Sequence, residues 1–206
     1  MKRSFIAAVG LAVTAAVASP AVAQAAPTTH HSPTLVQILL ADEQWDGADG
    51  FDGFPFDFDI VTEALQLFPD LVEAANSPGD LTVFLPTDQA FRRLVKDLTG
   101  QTMQSESEVF AAVASLGTDT VKAVLTYHIV AGSRITYRQA LRSDGAAIGT
   151  LNGASFTVDV VGKRFKSVVL VDNDPDFRDP TVVFPNINAS NGIAHAIDRV
   201  LLPINV

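Results

Sequence analysis

The chain has 206 residues, of which 48% are hydrophobic, with no cysteine and a formal net charge of −9. Such an acidic balance repels nucleic acid and anionic membrane surfaces, so we expect neither as a partner. The lack of cysteine excludes disulfides, thiolate metal sites and a cysteine nucleophile, and no motif predicts a cofactor. Packing alone must therefore stabilise the fold.

The first 23 residues have the pattern of an export signal. Lys2 and Arg3 precede an uncharged apolar run, and residues 21–23 have the small-x-small form that signal peptidase accepts. The run is shorter than the roughly 20 apolar residues that a membrane span needs. We predict a signal peptide over 1–23 and a secreted protein, extracellular or loosely associated with the cell wall, with no integral span after cleavage. Export without disulfides is typical of bacteria.

The segment that follows the signal divides into two parts. Residues 24–33 are polar and contain proline, which predicts a disordered leader. Residues 34–58 are predicted to form a short docking helix behind Thr34, an N-cap residue, and then a loop of aspartates, glycines and aromatic residues. The carboxylates of this loop suggest calcium, but their spacing does not match an EF-type loop. We favour an acidic loop whose aromatic side chains attach it to the core.

From residue 59 onward, a helix-rich half precedes a strand-rich half. Helices are predicted from Asp59 to a stop at Pro69, after Thr87, from a capping box at residues 105–108, and from about Thr118. Residues 81–86 form a β-rich run, Asn152-Gly153 marks a hairpin, and later strand candidates end with "GIAHAIDRVLL". This order predicts an α+β domain in which helices cover an antiparallel sheet.

Three stretches resemble the conserved boxes of the fasciclin domain family. "LTVFLPTDQAFRRL" (81–94) is similar to the first box, "VLTYHIVAG" (124–132) to the central Tyr-His segment, and "NGIAHAIDRVLLP" (191–203) to the closing box. The resemblance covers roughly residues 57–203. It implies a wedge of two small β-sheets with helices packed along one edge. We therefore predict one fasciclin-like domain over 59–206.

Two residues of the first box and one of the closing box have predicted architectural roles. Thr87 and Asp88 stand where a helix begins, and a hydroxyl or carboxylate there stabilises the helix by about 0.5–2 kcal/mol. In the closing box, Asn191 and Gly192 are assigned to the structural motif. Gly192 permits a tight turn that a side chain would block. These residues are explained without a ligand.

The closing box also contains His195 and Asp198. If this segment is an extended strand, its side chains alternate between the two faces, so the two residues point to opposite sides. We predict that His195 donates a hydrogen bond to a backbone carbonyl or a carboxylate, and that Asp198 and Arg199 tie the last strand to neighbouring loops.

The resemblance implies an extracellular adhesion or binding module that contacts a cell-surface or matrix protein or glycan. In animal relatives, an Asp-Ile motif and residues flanking the Tyr-His segment are implicated in integrin contact. Here Asn186 and Ile187 stand at the motif, so its carboxylate is missing and that type of receptor binding is disfavoured. The predicted contact surface contains these two residues with Tyr127 and His128, one of which would point inward on an extended segment.

Two other classes of function compete with this prediction. The first is calcium- or polysaccharide-dependent wall binding through the acidic loops, for which Asp172, Asp174 and Asp176 are candidate metal ligands at alternate positions. Their loop lacks the glycine and the glutamate of an EF-type site and is also explained as a solvated connection. The second class is a hydrolase, for which Ser190, His195 and Asp198 supply the residue types but not a common face. We therefore predict a protein that is not an enzyme.

Overall fold

A computed structural model describes residues 32–42 and 50–205 of the chain. Its helices are α1 Leu35–Asp42, α2 Asp59–Gln66, α3 Pro69–Asn76, α4 Asp88–Thr99, α5 Glu106–Ala114, α6 Thr118–Tyr127 and α7 Tyr137–Ala140. Its strands are β1 Leu81–Pro86, β2 Ile129–Ala131, β3 Ala147–Gly149, β4 Ser155–Val161, β5 Ser167–Val171, β6 Val182–Ala189 and β7 Gly192–Ile197. The predicted signal peptide, most of the leader and residues 43–49 of the acidic loop lie outside the described residues.

The described chain forms two small sheets, as the resemblance implies. The larger has the strand order β2-β1-β7-β6 and the smaller the order β3-β4-β5. β1 and β7 run parallel, from Leu81 beside Gly192 to Pro86 beside Ile197, whereas the other pairs are antiparallel. The expectation of a purely antiparallel sheet is therefore wrong. The last strand, β7, reaches the centre of the sheet after a long connection. The length of a connection does not indicate whether the strand will run parallel or antiparallel to its neighbour.

The larger sheet separates two hydrophobic cores. Val83 and Leu85 of β1 belong to a core with the helices, while Phe84 between them belongs to a core with the smaller sheet. Phe84 meets Phe156 of β4 edge to face, with 5.2 Å between ring centroids. Such alternation is expected of a strand that is covered on both faces. Helices along one side and a second sheet on the other produce the α+β wedge.

The helical half contains one element that the sequence pattern did not predict. Pro69 was expected to stop a helix, and α2 does end at Gln66. However, Pro69 also begins α3, because proline at the first helical position loses no intrahelical hydrogen bond. Phe68 consequently lies between the two helices instead of on α2, and it packs into the helical core.

The predicted docking helix is α1. Leu35, Val36 and Leu39 are buried in the helical core, and the hydroxyl of Thr34 accepts a hydrogen bond from the Gln37 N–H at 3.2 Å. The Leu35 N–H donates to Oδ1 of Asn191 at 3.0 Å, which joins this helix to the start of β7.

Within the described ranges, no single helix is long and apolar enough to cross a membrane. The paired helices α5 and α6 meet the length and composition criteria only when taken together, and the chain bends by 106° between them.

Candidate functional site: an aromatic groove beside buried carboxylates

The described part of the acidic loop, residues 50–58, has two faces. Phe51 lies against Phe110 of α5, with 5.9 Å between ring centroids, and Phe58 packs on the helical core. Phe54 and Phe56 are 56% and 64% exposed, and their rings contact each other edge to face at 5.9 Å. Two of the four aromatic side chains therefore attach the loop, as predicted, while the other two are presented to solvent.

The exposed rings form one wall of an open groove of about 650 Å³. The opposite wall comes from β6 and β7, where Val183 and Phe184 are 53% and 63% exposed. The groove is lined by Asp52, Phe54, Phe56, Asp57, Phe58, Thr87, Val183, Phe184, Ile187 and Ala196. Large exposed apolar side chains that converge on one concavity are typical of a binding surface. We call this feature the aromatic groove.

Behind the aromatic groove lie carboxylates that the chain brings together from distant positions. Asp59, Asp88 and Glu106 are each at most 2% exposed, and one oxygen of each lies within 4.8 Å of those of the other two. Asp52 and Asp57 make a second convergent group with Asp59. We call these five residues the carboxylate cluster. Sequence reasoning missed it because Asp88 and Glu106 are brought to the loop only by the packing of α4 and α5.

Backbone N–H groups orient most of these carboxylates. The Ile60 N–H donates to Oδ1 of Asp88 at 3.0 Å, the Gly53 N–H to Oε2 of Glu106 at 2.8 Å, and the Asp52 N–H to Oδ2 of Asp59 at 3.1 Å. Arg92 adds an ion pair to Oε1 of Glu106 at 3.2 Å. The loop is therefore attached to the domain through the cluster as well as through its aromatic side chains.

The helix-capping roles predicted for Thr87 and Asp88 differ from those observed. Thr87 occupies the N-cap position of α4, but its side chain makes no capping hydrogen bond. The carboxylate of Asp88 caps α2 instead of its own helix. The first N–H groups of α4 are satisfied by the acidic loop, since those of Asp88 and Gln89 donate to the carbonyl oxygens of Asp57 at 3.2 Å and Pro55 at 2.8 Å.

Asp57 and Asp88 are electrostatically unusual. Burial, together with a hydrogen bond and the charge of Asp88, raises the pKa of Asp57 to about 9. Burial raises the pKa of Asp88 to about 6, although its hydrogen bonds to Asp57 and the Ile60 N–H oppose this. No other donor among the described residues reaches Oδ1 of Asp57 or Oδ2 of Asp88. Because two carboxyl groups can form a hydrogen bond only when one of them is protonated, the pair holds a proton at neutral pH.

Tyr127 and His128 are buried in the interior of the domain, whereas the residues of a contact surface would be exposed. They lie at the end of α6 instead of on an extended segment, and they are 0% and 3% exposed. The Tyr127 hydroxyl donates to the Ser155 carbonyl at 2.9 Å. His128 contacts the Val124 carbonyl through Nδ1 at 2.7 Å and accepts the Leu201 N–H at Nε2 at 3.0 Å. Tyr127 thus joins the end of α6 to β4, and His128 joins it to the segment after β7. Their role in binding stays a prediction.

His195 and Asp198 have separate partners. His195 donates from Nε2 to the Ile135 carbonyl at 2.8 Å, accepts the Asn186 N–H at Nδ1 at 3.3 Å, and stacks on Phe84. Burial lowers its pKa, opposed by the bond to Ile135. Asp198 follows the end of β7, accepts the Thr181 N–H at 2.7 Å, and pairs with Arg93 at 3.3 Å.

The predicted alternation extends through the closing box, although the strand itself ends at Ile197. Ala194, Val200 and Leu202 pack in the helical core, while Ile197 and Leu201 pack against the smaller sheet. With both ring nitrogens of His195 bonded to the backbone, the structure does not assemble Ser190, His195 and Asp198 into a triad.

The remaining residues of the predicted contact surface lie on β6. Asn186 is exposed, adopts a left-handed backbone with φ of 63°, and accepts the Tyr137 N–H through Oδ1 at 3.0 Å. It sits at an irregularity in the β6 register that turns the strand. Ile187, next to it, is half-buried and lines the aromatic groove. Ile187 therefore lines the groove, whereas Asn186 is not among its lining residues.

Asn191 and Gly192 are structural. The Asn191 amide donates to the Ala75 carbonyl at 2.7 Å and accepts from Leu35, so it joins α1, α3 and β7. A Cβ on Gly192 would lie 2.6 Å from the Leu81 carbonyl oxygen. The glycine is thus required by the close approach of β1, and not by turn geometry as predicted.

The second acidic loop uses its carboxylates differently. Asp172 accepts the N–H groups of Asp174 and Leu202, Asp174 accepts those of Asp176 and Phe177, and Asp176 accepts from the Asn205 amide. Across residues 32–42 and 50–205, the convergent carboxylate triplets do not include these three aspartates. Metal binding by Asp172, Asp174 and Asp176 remains a prediction.

Comparisons with known proteins show which family and fold the chain resembles. The chain is 28% identical to the uncharacterized protein sll1735 of Synechocystis sp. over 170 residues, which cover 82% of this chain and 98% of the relative. It is 29% identical to protein sll1483 of the same organism over 185 residues, which cover 90% of this chain and 81% of the relative.

A FAS1 domain pair from the insect cell adhesion molecule Fasciclin I has a similar fold, with a TM-score of 0.59 at 17% identity. The match covers 84% of this chain but 51% of that structure, so the chain spans about half the length of the pair. The profile of the fasciclin domain matches residues 57–203. The chain therefore belongs to the fasciclin domain family, whose members are adhesion-type binding modules.

Proposed function

We propose that this protein is a secreted, non-catalytic adhesion module that contacts a cell-surface or matrix protein or glycan through the aromatic groove. The observation that carries the proposal is the exposure of Phe54, Phe56 and Phe184 around one open concavity. Aromatic side chains provide large contact area at low conformational cost, and they dominate the energy of many interfaces. A carboxylate at the rim, from Asp52, supplies hydrogen-bond acceptors.

Three further observations support this proposal. Ile187, a residue of the contact surface that the family resemblance implies, lines the same groove. The buried imidazoles of His128 and His195 are bonded to backbone groups, which leaves neither poised as a general base. The apolar run at residues 5–18 favours export by a bacterial cell.

The contact face is tested by binding to the envelope or matrix fraction of the producing cell. We expect the double variant Phe54→Ser, Phe56→Ser to bind at least tenfold more weakly than the wild type. Phe165→Ser is the matched control, because Phe165 is 82% exposed and does not line the groove. Equal binding by the double variant and the wild type would refute the groove as the contact face.

Two measurements test the rest of the proposal. Treating the fraction with protease or with glycosidase distinguishes a protein partner from a glycan. Mass spectrometry of the protein in the culture medium should give an N-terminus at residue 24. Retention in the cytoplasm would contradict secretion, and turnover of any member of a hydrolase substrate panel would contradict the non-catalytic assignment.

A further inference from the structure

The side chains of the aromatic groove offer hydrogen-bond acceptors but no cation. Among the described residues that line it, those with polar side chains are Asp52, Asp57 and Thr87, and none is lysine, arginine, histidine, asparagine or glutamine. Thr87 is 3% exposed, so the accessible polar atoms of these side chains are mostly carboxyl oxygens. A carboxylate only accepts hydrogen bonds, and the side chains that only donate include those of arginine and lysine. The groove therefore favours an occupant rich in donors.

The negative charge at the rim of the groove is held beside its aromatic wall. Asp52 is exposed, and its Oδ1 accepts the Phe54 N–H at 2.6 Å, which fixes the carboxylate next to a residue with an exposed ring. One oxygen each of Asp52, Asp57 and Asp59 lies within 4.8 Å of the other two. The proton that Asp57 and Asp88 share leaves one negative charge on that pair. The rim of the groove is therefore negative.

Two arginines on neighbouring elements are directed elsewhere. Arg92 pairs with Glu106 at 3.2 Å, and Arg134 donates to the Ala189 carbonyl at the end of β6 at 3.2 Å. Neither arginine lines the groove. In the sequence, residues 43–49, which directly precede the described part of the acidic loop, contain three acidic residues and no basic one. A positive charge that complements the rim must therefore come from the occupant, and the net charge of −9 attracts such an occupant over distance.

The exposed rings complete a surface that suits a cationic side chain. Phe54 and Phe56 form one wall, and Phe184 stands on the other wall, paired with Ala196 of β7. Because alanine is small, it leaves the Phe184 ring 63% exposed. The face of a phenyl ring attracts an ammonium or guanidinium group, and the planar guanidinium also stacks on the ring. Arginine can contact both the rings and a carboxylate, which it binds through two parallel N–H groups.

The same chemistry disfavours a glycan as the occupant. A hydroxyl group both donates and accepts hydrogen bonds, whereas the carboxylates of the groove only accept and its phenylalanine rings have no polar atom. An anionic glycan would also bring like charge to the negative rim. A protein segment that carries arginine next to an apolar side chain matches both the rim and the walls.

We propose that the aromatic groove binds a basic segment of a partner protein, in which an arginine pairs with Asp52 and stacks on the exposed phenylalanine rings while a neighbouring apolar side chain lies between the walls. This inference rests on the proposed function, since it names the class of partner for the same contact face.

The test measures the binding of three labelled peptides to the full-length secreted protein at pH 7.5. The first is a hexapeptide of alternating arginine and phenylalanine, the second has citrulline, a neutral isostere, in place of arginine, and the third has glutamate there. Fluorescence polarisation with protein up to about 1 mM should show at least tenfold tighter binding of the arginine peptide than of the citrulline peptide. The glutamate peptide should not bind. Raising NaCl from about 0.1 M to about 1 M shortens the Debye length from about 10 Å to about 3 Å and should reduce the preference for arginine several-fold.

Matched variants locate the contact. Asp52→Asn changes an exposed residue and keeps an acceptor for the Phe54 N–H, and it should reduce the preference for arginine over citrulline to less than threefold. Phe184→Ser should weaken both peptides, because it removes a ring without changing a charge. Asp176→Asn, the same chemical change at an exposed aspartate of the second acidic loop, should bind each peptide as the wild type does.

Four outcomes would overturn the proposal. The first two are equal affinity of the wild type for the arginine and citrulline peptides, and a preference for arginine that survives in Asp52→Asn. The third is saturable binding of chitohexaose that Phe184→Ser abolishes, which would assign the groove to a glycan. The fourth is a wild-type dimer in sedimentation velocity that Asp52→Asn dissociates, which would assign the groove to a second copy of the chain.

The failure of this inference can be distinguished from the failure of the proposed function. Loss of envelope binding in the variant Phe54→Ser, Phe56→Ser, together with no preference for the arginine peptide, would overturn the class of partner and leave the contact face standing. A preference for the arginine peptide, together with unchanged envelope binding in that variant, would support recognition of a basic segment and contradict the adhesive role.

Discussion

The two acidic loops have similar composition but opposite uses of their carboxylates. In the second loop, aspartates at 172, 174 and 176 accept hydrogen bonds from nearby N–H groups, so each charge is paired with a fixed dipole. In the first loop, carboxylates converge on those of Asp88 and Glu106, and Asp57 and Asp88 also share a proton with each other. The difference teaches that two loops with similar numbers of aspartates can satisfy them in different ways. In the second loop N–H groups are sufficient, whereas in the first loop one carboxyl group must stay protonated.

The largest effect is expected from removing an acceptor in the second loop. Asp174→Ala leaves the N–H groups of Asp176 and Phe177 without their acceptor, which should lower the free energy of unfolding by about 2–4 kcal/mol. Asp174→Asn keeps a carbonyl acceptor and should cost less than about 1 kcal/mol. Urea denaturation of both variants measures the difference. Equal losses would show that charge, and not hydrogen bonding, matters in this loop.

Acid should also lower the stability of the region around the second loop, and the group responsible is His128. Burial lowers the pKa of His128 to about 4, whereas an unfolded histidine binds a proton near pH 6.5. The unfolded chain therefore takes up the proton first, and the stability contributed by neutral His128 is lost as the pH falls from 6.5 toward 4. The loss should reach about 3 kcal/mol.

Two measurements isolate this contribution. The imidazole resonances of His128 should not titrate above about pH 5, and titration near 6.5 would contradict the assignment. Burial raises the pKa of Asp172 to about 6, so its contribution grows as the pH falls from 6 toward 3.8 and opposes that of His128. Denaturation of Asp172→Asn across the same pH range separates the two effects.

Removing a charge from the carboxylate cluster should raise the free energy of unfolding, whereas removing one from the second loop should lower it. Asp88→Asn should raise the free energy of unfolding by about 1 kcal/mol, because it removes a buried charge and keeps an acceptor for the Ile60 N–H. Urea denaturation of the variant and the wild type at pH 7.5 measures the difference. Destabilisation of the variant would mean that the cluster behaves like the second loop.

The smallest effect on stability is expected at the surface of the first loop. Phe54 and Phe56 are more than half exposed, so changing each to serine should alter the free energy of unfolding by less than about 0.5 kcal/mol. Thermal denaturation provides the measurement, with Phe165→Ser as the reference variant. A loss above 2 kcal/mol would show that these rings attach the loop to the core, as Phe51 and Phe58 do.

Local sequence patterns predicted the elements well where the signal depends on neighbouring residues. β1 begins and ends where the β-rich run predicts, and the box at Ser105 and Glu108 caps α5 as expected. The alternation of the closing box likewise separates His195 from Asp198. Two short helices were not predicted, namely α7 and α3, and α3 was missed because Pro69 was expected only to end a helix, whereas it also begins one.

The candidate site could be predicted only in part. The sequence drew attention to the acidic loop and to Ile187, both of which contribute to the aromatic groove. It also placed Tyr127 and His128 on a contact surface, whereas the end of α6 buries them. No local pattern distinguishes a buried imidazole from an exposed one, because burial depends on which strand covers the helix end.

Composition, periodicity and the three family boxes were sufficient to determine the fold class, since short-range hydrogen bonds and side-chain alternation reside in consecutive residues. The partners of each polar group were decided by tertiary structure. Asp88 caps α2, Glu106 meets the acidic loop, and β7 lies parallel to β1 because packing of the helical core brings these distant segments together. Hydrogen bonding and charge depend on distances of a few ångströms, and separation along the chain does not encode them.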